Sequence, residues 1–158
     1  MIIDSDNGAM SLLIDNTDPR YITDLFAEMG ITNPSDTSGS VDKYGISAKM
    51  YSLFFRVLYS STIVNRDNSE KALELLSKTT FKNGISAGVP GDLTVAHKFG
   101  EHVSLPLGIE FHDCGIIYYP KNPYLLCVMT KGDNVDELIA VISDISKKVY
   151  QAISTGKI

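Results

Sequence analysis

Tryptophan is absent from these 158 residues and cysteine occurs only twice. Two thiols, Cys114 and Cys127, cannot hold a zinc ion by themselves and their spacing matches no metal motif, so no metal site and no cofactor are expected. If residues 111–119 and 124–130 form a hairpin, the two sulfurs could share a face. A disulfide is then open to them, although two small buried thiols is the favoured reading. Basic charge is also scarce: 14 Lys and Arg, scattered among 19 Asp and Glu, give a net charge of −5 and no field to gather phosphates. Nucleic acid is therefore not an expected partner. No run approaches the roughly eighteen apolar residues a membrane span needs, and Met1-Ile2-Ile3-Asp4 lacks the basic-then-apolar pattern of a secretory leader. What is present, 44% hydrophobic residues in a chain of this length, suffices for one compact unit with its own core and is too little for two ordinary domains.

The hydrophobic period changes once along the chain. Residues 8–15 read as a short helix, and Tyr21 to Met29 as another that ends at Gly30. Ile31 to Tyr44 has no periodicity and reads as a surface loop. Ser47 is a candidate N-cap for a helix to about Ser60, with Met50, Leu53, Phe54, Val57 and Leu58 forming its apolar face. A further helix runs from Ser69 to Lys78 and presents Ala72, Leu73 and Leu76, and residues 83–91 are rich in turn formers. After that, Thr94 to Gly100, Glu110 to Tyr119 and Tyr124 to Thr130 carry the β-branched and aromatic residues of an antiparallel meander, with residues 120–123 as the tight turn. From Asp133 a long helix follows, striped by Leu138, Ile142, Ile145, Val149 and Ile153, with Lys147 and Lys148 expected near its cation-favouring end. Helices first, then strands, then a helix indicates an α+β fold: a mostly helical part over 1–92 and an antiparallel sheet with its covering helix over 93–158.

Two short motifs carry chemistry. Ser5-Asp6-Asn7 lies before the first helix, and Lys98-Phe99-Gly100 lies on the first strand about ninety residues later. Taken singly, the first reads as a helix cap and the second as a strand edge entering a turn. Taken in order, and followed by residues 111–120 as the next strand and by the terminal helix, they resemble class A β-lactamases and penicillin-binding proteins, whose signatures are Ser-x-x-Lys, Ser-Asp-Asn and Lys-Thr-Gly in that order. The resemblance spans nearly the whole chain and implies a β-lactamase/transpeptidase-like α+β fold whose N-terminal helix and strands are absent. It also implies roles. Ser5 would relay a proton, and Lys98 would supply the positive charge that draws a substrate carboxylate and keeps the Ser5 proton mobile. Asn7 would bind the substrate's acylamide carbonyl, Phe99 and Gly100 would line the substrate's strand edge, and Asp6 would hold the loop. The N–H of Glu101 would donate half of the oxyanion hole. The implied partner is a small β-lactam or a D-Ala-D-Ala peptide, met in the periplasm or outside the cell.

Three departures qualify what the resemblance implies. Only four residues precede Ser5, so the upstream Ser-x-x-Lys nucleophile has no place here, and the chain by itself is expected to form no acyl-enzyme. The sequence Ser40-Val41-Asp42-Lys43 matches the pattern but follows Ser-Asp-Asn within a loop, and is read as coincidence. No Glu lies between Glu28 and Glu70, where Asp36 and Asp42 are the only acids of the corresponding loop, so the deacylating glutamate of class A enzymes is missing. Phe99 stands where Thr or Ser is usual, which removes a carboxylate-binding hydroxyl. His97, His102 and His112 are read as structural or surface residues, because this family uses no histidine base. The expected function is the C-terminal part of a serine β-lactamase-like hydrolase serving antibiotic response. The alternatives are a D-Ala-D-Ala peptidase, a non-catalytic relative that binds peptidoglycan or a partner protein, and an unrelated α+β interaction domain.

Overall fold

The computed structural model describes residues 1–31, 46–104 and 108–157. The helices among them begin where a short polar side chain can accept a hydrogen bond from an otherwise unpaired amide of the first turn. Asp6 caps α1 (Asn7–Asp15), Asp18 caps α2 (Pro19–Glu28), Ser47 caps α3 (Ala48–Ser60), Asn65 caps α4 (Arg66–Ser77) and Asn134 caps α5 (Val135–Ser154). Asn134 rather than Asp133 therefore sets the start of the last helix. α4 begins three residues earlier than its apolar pattern suggested, because Asn65 provides the cap ahead of the first apolar residue. α5 continues to Ser154, so Lys147 and Lys148 lie outside its last turn, away from the carbonyl end expected for them.

The strands β1 (Val95–Ser104), β2 (Gly108–Ile117) and β3 (Tyr124–Gly132) form an antiparallel sheet in the order β1-β2-β3. β1 extends beyond Gly100 and pairs with β2 as far as Ser104, so Lys98 to Gly100 lie in mid-strand and not at a strand end. Side-chain alternation gives the sheet two covered faces. On one, Val95, Phe111, Ile117 and Val128 meet Leu138 and Ile142 of α5 and Ile85 of a short 3-10 turn (Ile85–Gly88). On the other, Ala96, Cys114 and Ile116 meet Phe55 of α3 and Leu76 of α4. Each fully buried aliphatic or aromatic side chain of this kind contributes roughly 1.5–3 kcal/mol. The result is an α+β sandwich with the sheet between α5 and the α3–α4 pair.

Two helix faces differ from their expected stripes. α3 buries Phe55, with Tyr51 and Leu58 beside it, and turns Phe54 towards Phe26 of α2, their ring centroids 5.9 Å apart. The helix is sandwiched between the sheet and α2, so a single apolar face does not describe it. In α5 the fully buried positions include Ser146, whose hydroxyl donates to the Ile85 carbonyl at 2.7 Å. Cys114 and Cys127 are direct cross-strand partners in the α3-side core and are joined as a disulfide, not left as two thiols. Their shared face follows from the antiparallel register.

Candidate functional site

The N-terminal turn reaches the sheet because the Ile3 carbonyl accepts from the Thr80 amide at 3.0 Å and from the Thr79 hydroxyl at 3.1 Å, at the end of α4. Ile2 packs into the α3-side core at the same place. Pinned there, Ser5 adopts the left-handed conformation, φ 52°, unusual for a residue with a side chain. Its Oγ accepts a 2.6 Å hydrogen bond from the Lys98 ammonium. Asp6 caps α1 through the Ala9 amide at 2.5 Å, and Asn7 is the first, exposed, residue of that helix. The cap reading of Ser-Asp-Asn and its approach to Lys98 are thus both present in one structure.

Lys98 is half-buried. Besides Ser5 it donates to the Phe99 carbonyl at 2.9 Å, and its Nζ stands 4.4 Å from the centroid of the Phe99 ring. Such a cation–π contact offsets part of the cost of removing the ammonium from water. That ring packs in turn on Phe81, 4.4 Å between centroids, and is stacked on Phe111 at 5.6 Å. Phe99 therefore serves the core and supports Lys98. Burial lowers the Lys98 pKa below its ordinary value, and the Asp113 charge partly opposes that shift. From α3 the Tyr51 hydroxyl donates to the Lys98 carbonyl at 2.8 Å, which ties the helix to the strand directly at the site.

The register also fixes where the backbone groups of β1 point. Cys114 and Cys127 stand 4.0 Å apart at Cα, the close spacing of a non-hydrogen-bonded pair, so the peptide groups of Cys114 turn towards its other partner, Lys98. By alternation the peptide groups of Phe99 and Glu101 turn outward to the free edge of β1, consistent with the Phe99 carbonyl accepting from Lys98 Nζ. Gly100, between them, has open space where a Cβ would stand. The Glu101 side chain is exposed.

On the opposite face of the same strand lies a buried polar group that the motifs did not reveal. His97 and Asp113 are both fully buried, with Nδ1 2.9 Å from Oδ1. An ionised carboxylate only accepts, so Nδ1 carries the hydrogen in that pairing. The Ile85 amide donates to the other Asp113 oxygen at 2.9 Å, and Ser86 Oγ lies 3.0 Å from His97 Nε2. Glycine is required around this pair: a Cβ on Gly84 would stand 2.1 Å from Asp113 Oδ2, and one on Gly115 2.4 Å from His97 Cβ. Of the three histidines read as structural or surface residues, His97 is fully buried, His102 is exposed and His112 accepts from the Thr130 amide at 3.3 Å. Asp113 and Tyr51 were missed. An acid inside the apolar strand of residues 109–117 was the available signal, since a carboxylate there needs a buried partner.

Ser40-Val41-Asp42-Lys43 and Asp36 lie outside the described residues. Among the described residues no cluster of three or more His, Cys, Asp or Glu is placed to hold a metal, and no helix is long and apolar enough to cross a membrane. A shallow groove of about 170 Å³ between α3 and β3 is lined by Phe55, Tyr59, Ile116, Tyr124 and Leu125 and does not include the Ser5–Lys98 pair.

A family model described as "Beta-lactamase enzyme family" matches residues 1–153. No curated protein is detectably similar. Among solved structures, PBP-A aligns at 23% identity and a TM-score of 0.79 over 98% of this chain and 59% of its own. A β-lactamase of Sphaerobacter thermophilus aligns at 24% and 0.75, over 99% and 61%. A class A β-lactamase representing the last common ancestor of Gram-negative bacteria aligns at 22% and 0.79, over 96% and 62%. The chain thus spans about three fifths of the length of the structures it matches, and the likeness shows that it has their fold.

Proposed function

This chain belongs to the β-lactamase enzyme family, and from that premise we propose that it forms the Ser-Asp-Asn and Lys-x-Gly walls of a serine acyl-transfer site acting on β-lactams, in an antibiotic-response role. The observation that carries the reading is the 2.6 Å hydrogen bond between Lys98 Nζ and Ser5 Oγ, made across 93 residues of sequence. A hydroxyl held by a partly desolvated ammonium can pass a proton between a nucleophile and a departing nitrogen, and the ammonium attracts a substrate carboxylate. Asn7, beside Ser5, is the candidate for the substrate's side-chain amide. Gly100 lets the substrate approach the free edge of β1, and the outward N–H of Glu101 is one oxyanion donor. Asp6 holds Ser5 and Asn7 in place through its cap. The nucleophile would come from a Ser-x-x-Lys segment outside these 158 residues, without which the chain is inactive. One solved relative supports β-lactams as the substrate class: a PBP-A variant seen as an acyl-enzyme complex with penicillin G, 23% identical to this chain.

A second reading, a D-Ala-D-Ala peptidase, is favoured by the absence of any Glu between Glu28 and Glu70, which leaves no glutamate to drive deacylation. Either reading places the complete protein in the periplasm or outside the cell. The test is to express the chain in frame with the coding sequence upstream of Met1 and weigh the product after exposure to penicillin G. The expected result is a penicilloyl adduct on a Ser-x-x-Lys serine, formed at least about 100-fold more slowly in Ser5→Ala and Lys98→Ala. An adduct that forms equally fast in both variants would sink the proposal. A long-lived adduct favours the peptidase, and rapid turnover favours the β-lactamase.

A further inference from the structure

An ammonium carries three hydrogens, and the chain itself uses two of those on Lys98. One goes to Ser5 Oγ at 2.6 Å and one to the Phe99 carbonyl at 2.9 Å. The Phe99 ring stands 4.4 Å from Nζ and draws the cation by its negative face. That ring is not free to swing away. It is packed on Phe81, 4.4 Å between centroids, and stacked at 5.6 Å on Phe111, which is fully buried. Backbone and side chain of one residue thus clamp the ammonium where it meets Ser5.

A carboxylate is recognised by contact, through short charge-assisted hydrogen bonds that are strongest when two donors face it. Lys98 has at most one hydrogen left to give, and Phe99 brings no hydroxyl. The other charged side chains of residues 1–7 and of β1 do not replace it. Asp4, Asp6 and Glu101 are exposed acids, and His97 faces the core on the other side of the sheet. His102 is exposed but lies four positions on, about 13 Å along an extended strand. A neutral substrate loses nothing here. Gly100 leaves open space at the strand edge, and the outward N–H of Glu101 binds a carbonyl whatever charge the rest of the donor carries.

We propose that Phe99 is a specificity-determining residue: by clamping Lys98 on Ser5, it makes the site accept neutral acyl donors, such as esters of β-lactam acids, as readily as the carboxylates themselves. This rests on the acyl-transfer reading of Ser5 and Lys98. In the reaction concerned, the nucleophilic oxygen bonds to the lactam carbonyl carbon, the C–N bond breaks, and the proton of the nucleophile reaches the ring nitrogen through Ser5. The carboxylate takes no part in those bonds and contributes through recognition alone. Lys98 serves the relay, and recognition falls to the strand edge. The pull of the ammonium on a distant anion remains, but salt screens it.

The test compares penicillin G with its methyl ester on the chain expressed in frame with its upstream coding sequence, following the adduct by intact mass at several donor concentrations. The two adducts differ by one methylene group, so hydrolysis of the ester before reaction is seen directly. In the parent the acid should acylate no more than about 5-fold faster than the ester. In Phe99→Thr, which frees the ammonium and adds a hydroxyl, the acid-to-ester ratio should rise about 10-fold or more, the effect of one hydrogen bond to a charged group. The change should lie in the half-saturating concentration of the acid and not in that of the ester. Should Phe99→Thr fail to fold, Phe99→Leu decides: it keeps the apolar packing, removes the hold of the ring, and should raise the ratio about 3-fold or more. A parent that favours the acid more strongly, or a ratio unmoved in the folded variant, overturns the inference and leaves the site. No adduct from either donor rejects the acyl-transfer reading itself, and the role of Phe99 falls with it.

Discussion

The N-terminal helices and the sheet differ sharply in how they are held. α1 and α2 bury no residue fully, and Leu12, Leu13, Ile14, Tyr21 and Ile22 remain exposed on them. In β2, by contrast, seven of ten residues are buried, and each neighbouring layer contributes side chains to its two faces. The candidate site draws one partner from each region: Ser5 from the lightly held turn before α1, Lys98 from the sheet. A charge is thus fixed on a stiff element and a hydroxyl is brought to it by a few anchors at Ile2 and Ile3. The difference implies that the two halves of the site should respond unequally to mutation.

The largest contrast is in the core. Phe111→Ala should cost about 3–5 kcal/mol in urea unfolding, as expected for a large side chain removed from a close-packed core, whereas Leu13→Ala in α1 should cost under about 0.5 kcal/mol. Comparable losses would abolish the distinction between the regions. Next comes the glycine cradle. Gly84→Ala drives a Cβ onto the Asp113 carboxylate and should destabilise by about 1–3 kcal/mol. Gly91→Ala, with open space at the same atom, should stay within about 0.5 kcal/mol of the parent in the same urea unfolding experiment.

Smaller effects sharpen the comparison at the site. Tyr51→Phe deletes one donor to the Lys98 carbonyl and should cost about 1 kcal/mol. Asp6→Ala should remove a comparable ~1 kcal/mol of capping. The measurement for Asp6→Ala is amide exchange: protection should drop in residues 7–15 and remain unchanged in β1 and β2. Equal loss in the strands would mean that the N-terminal turn and the sheet open together.

The smallest effect is the pH dependence of the exposed Glu110–Lys131 pair, 3.1 Å apart across β2 and β3. The hydrogen bond from Lys131 holds the Glu110 carboxyl below its ordinary value. Its contribution is therefore present above the usual carboxylate range and lost as pH falls through the lowered folded value. Solvent and salt limit it to about 0.5 kcal/mol, so Glu110→Gln should flatten acid unfolding only slightly.

Much of the fold was legible because its signals are local. The meander was marked by β-branched runs and by the turn at residues 120–123, and α5 by its apolar stripe, although its start was read at Asp133 and is capped by Asn134. What misled was context. Apolar spacing on α3 could not say that Phe55 would face the sheet and Phe54 would face α2, since a helix between two layers has no single inner face. The pairing of Cys114 with Cys127 needed the register, because a shift of one residue sends a side chain to the other face. At the site, Ser5, Lys98 and their neighbours were readable only as motifs. Tyr51, which meets the Lys98 carbonyl from α3, and the buried His97–Asp113 pair carry no motif.

The sequence by itself determined the order of elements, the α+β class and the two short signatures, because propensity, capping and hydrophobic period operate within a few residues of chain. Only the tertiary structure decided that Ser5 meets Lys98, that Phe99 supports the ammonium, and that His97 and Asp113 pair in the core on the sheet's other face. These depend on which strands pair and in what register. Distance in space, unlike distance along the chain, sets the strength of hydrogen bonds and of fields between charges.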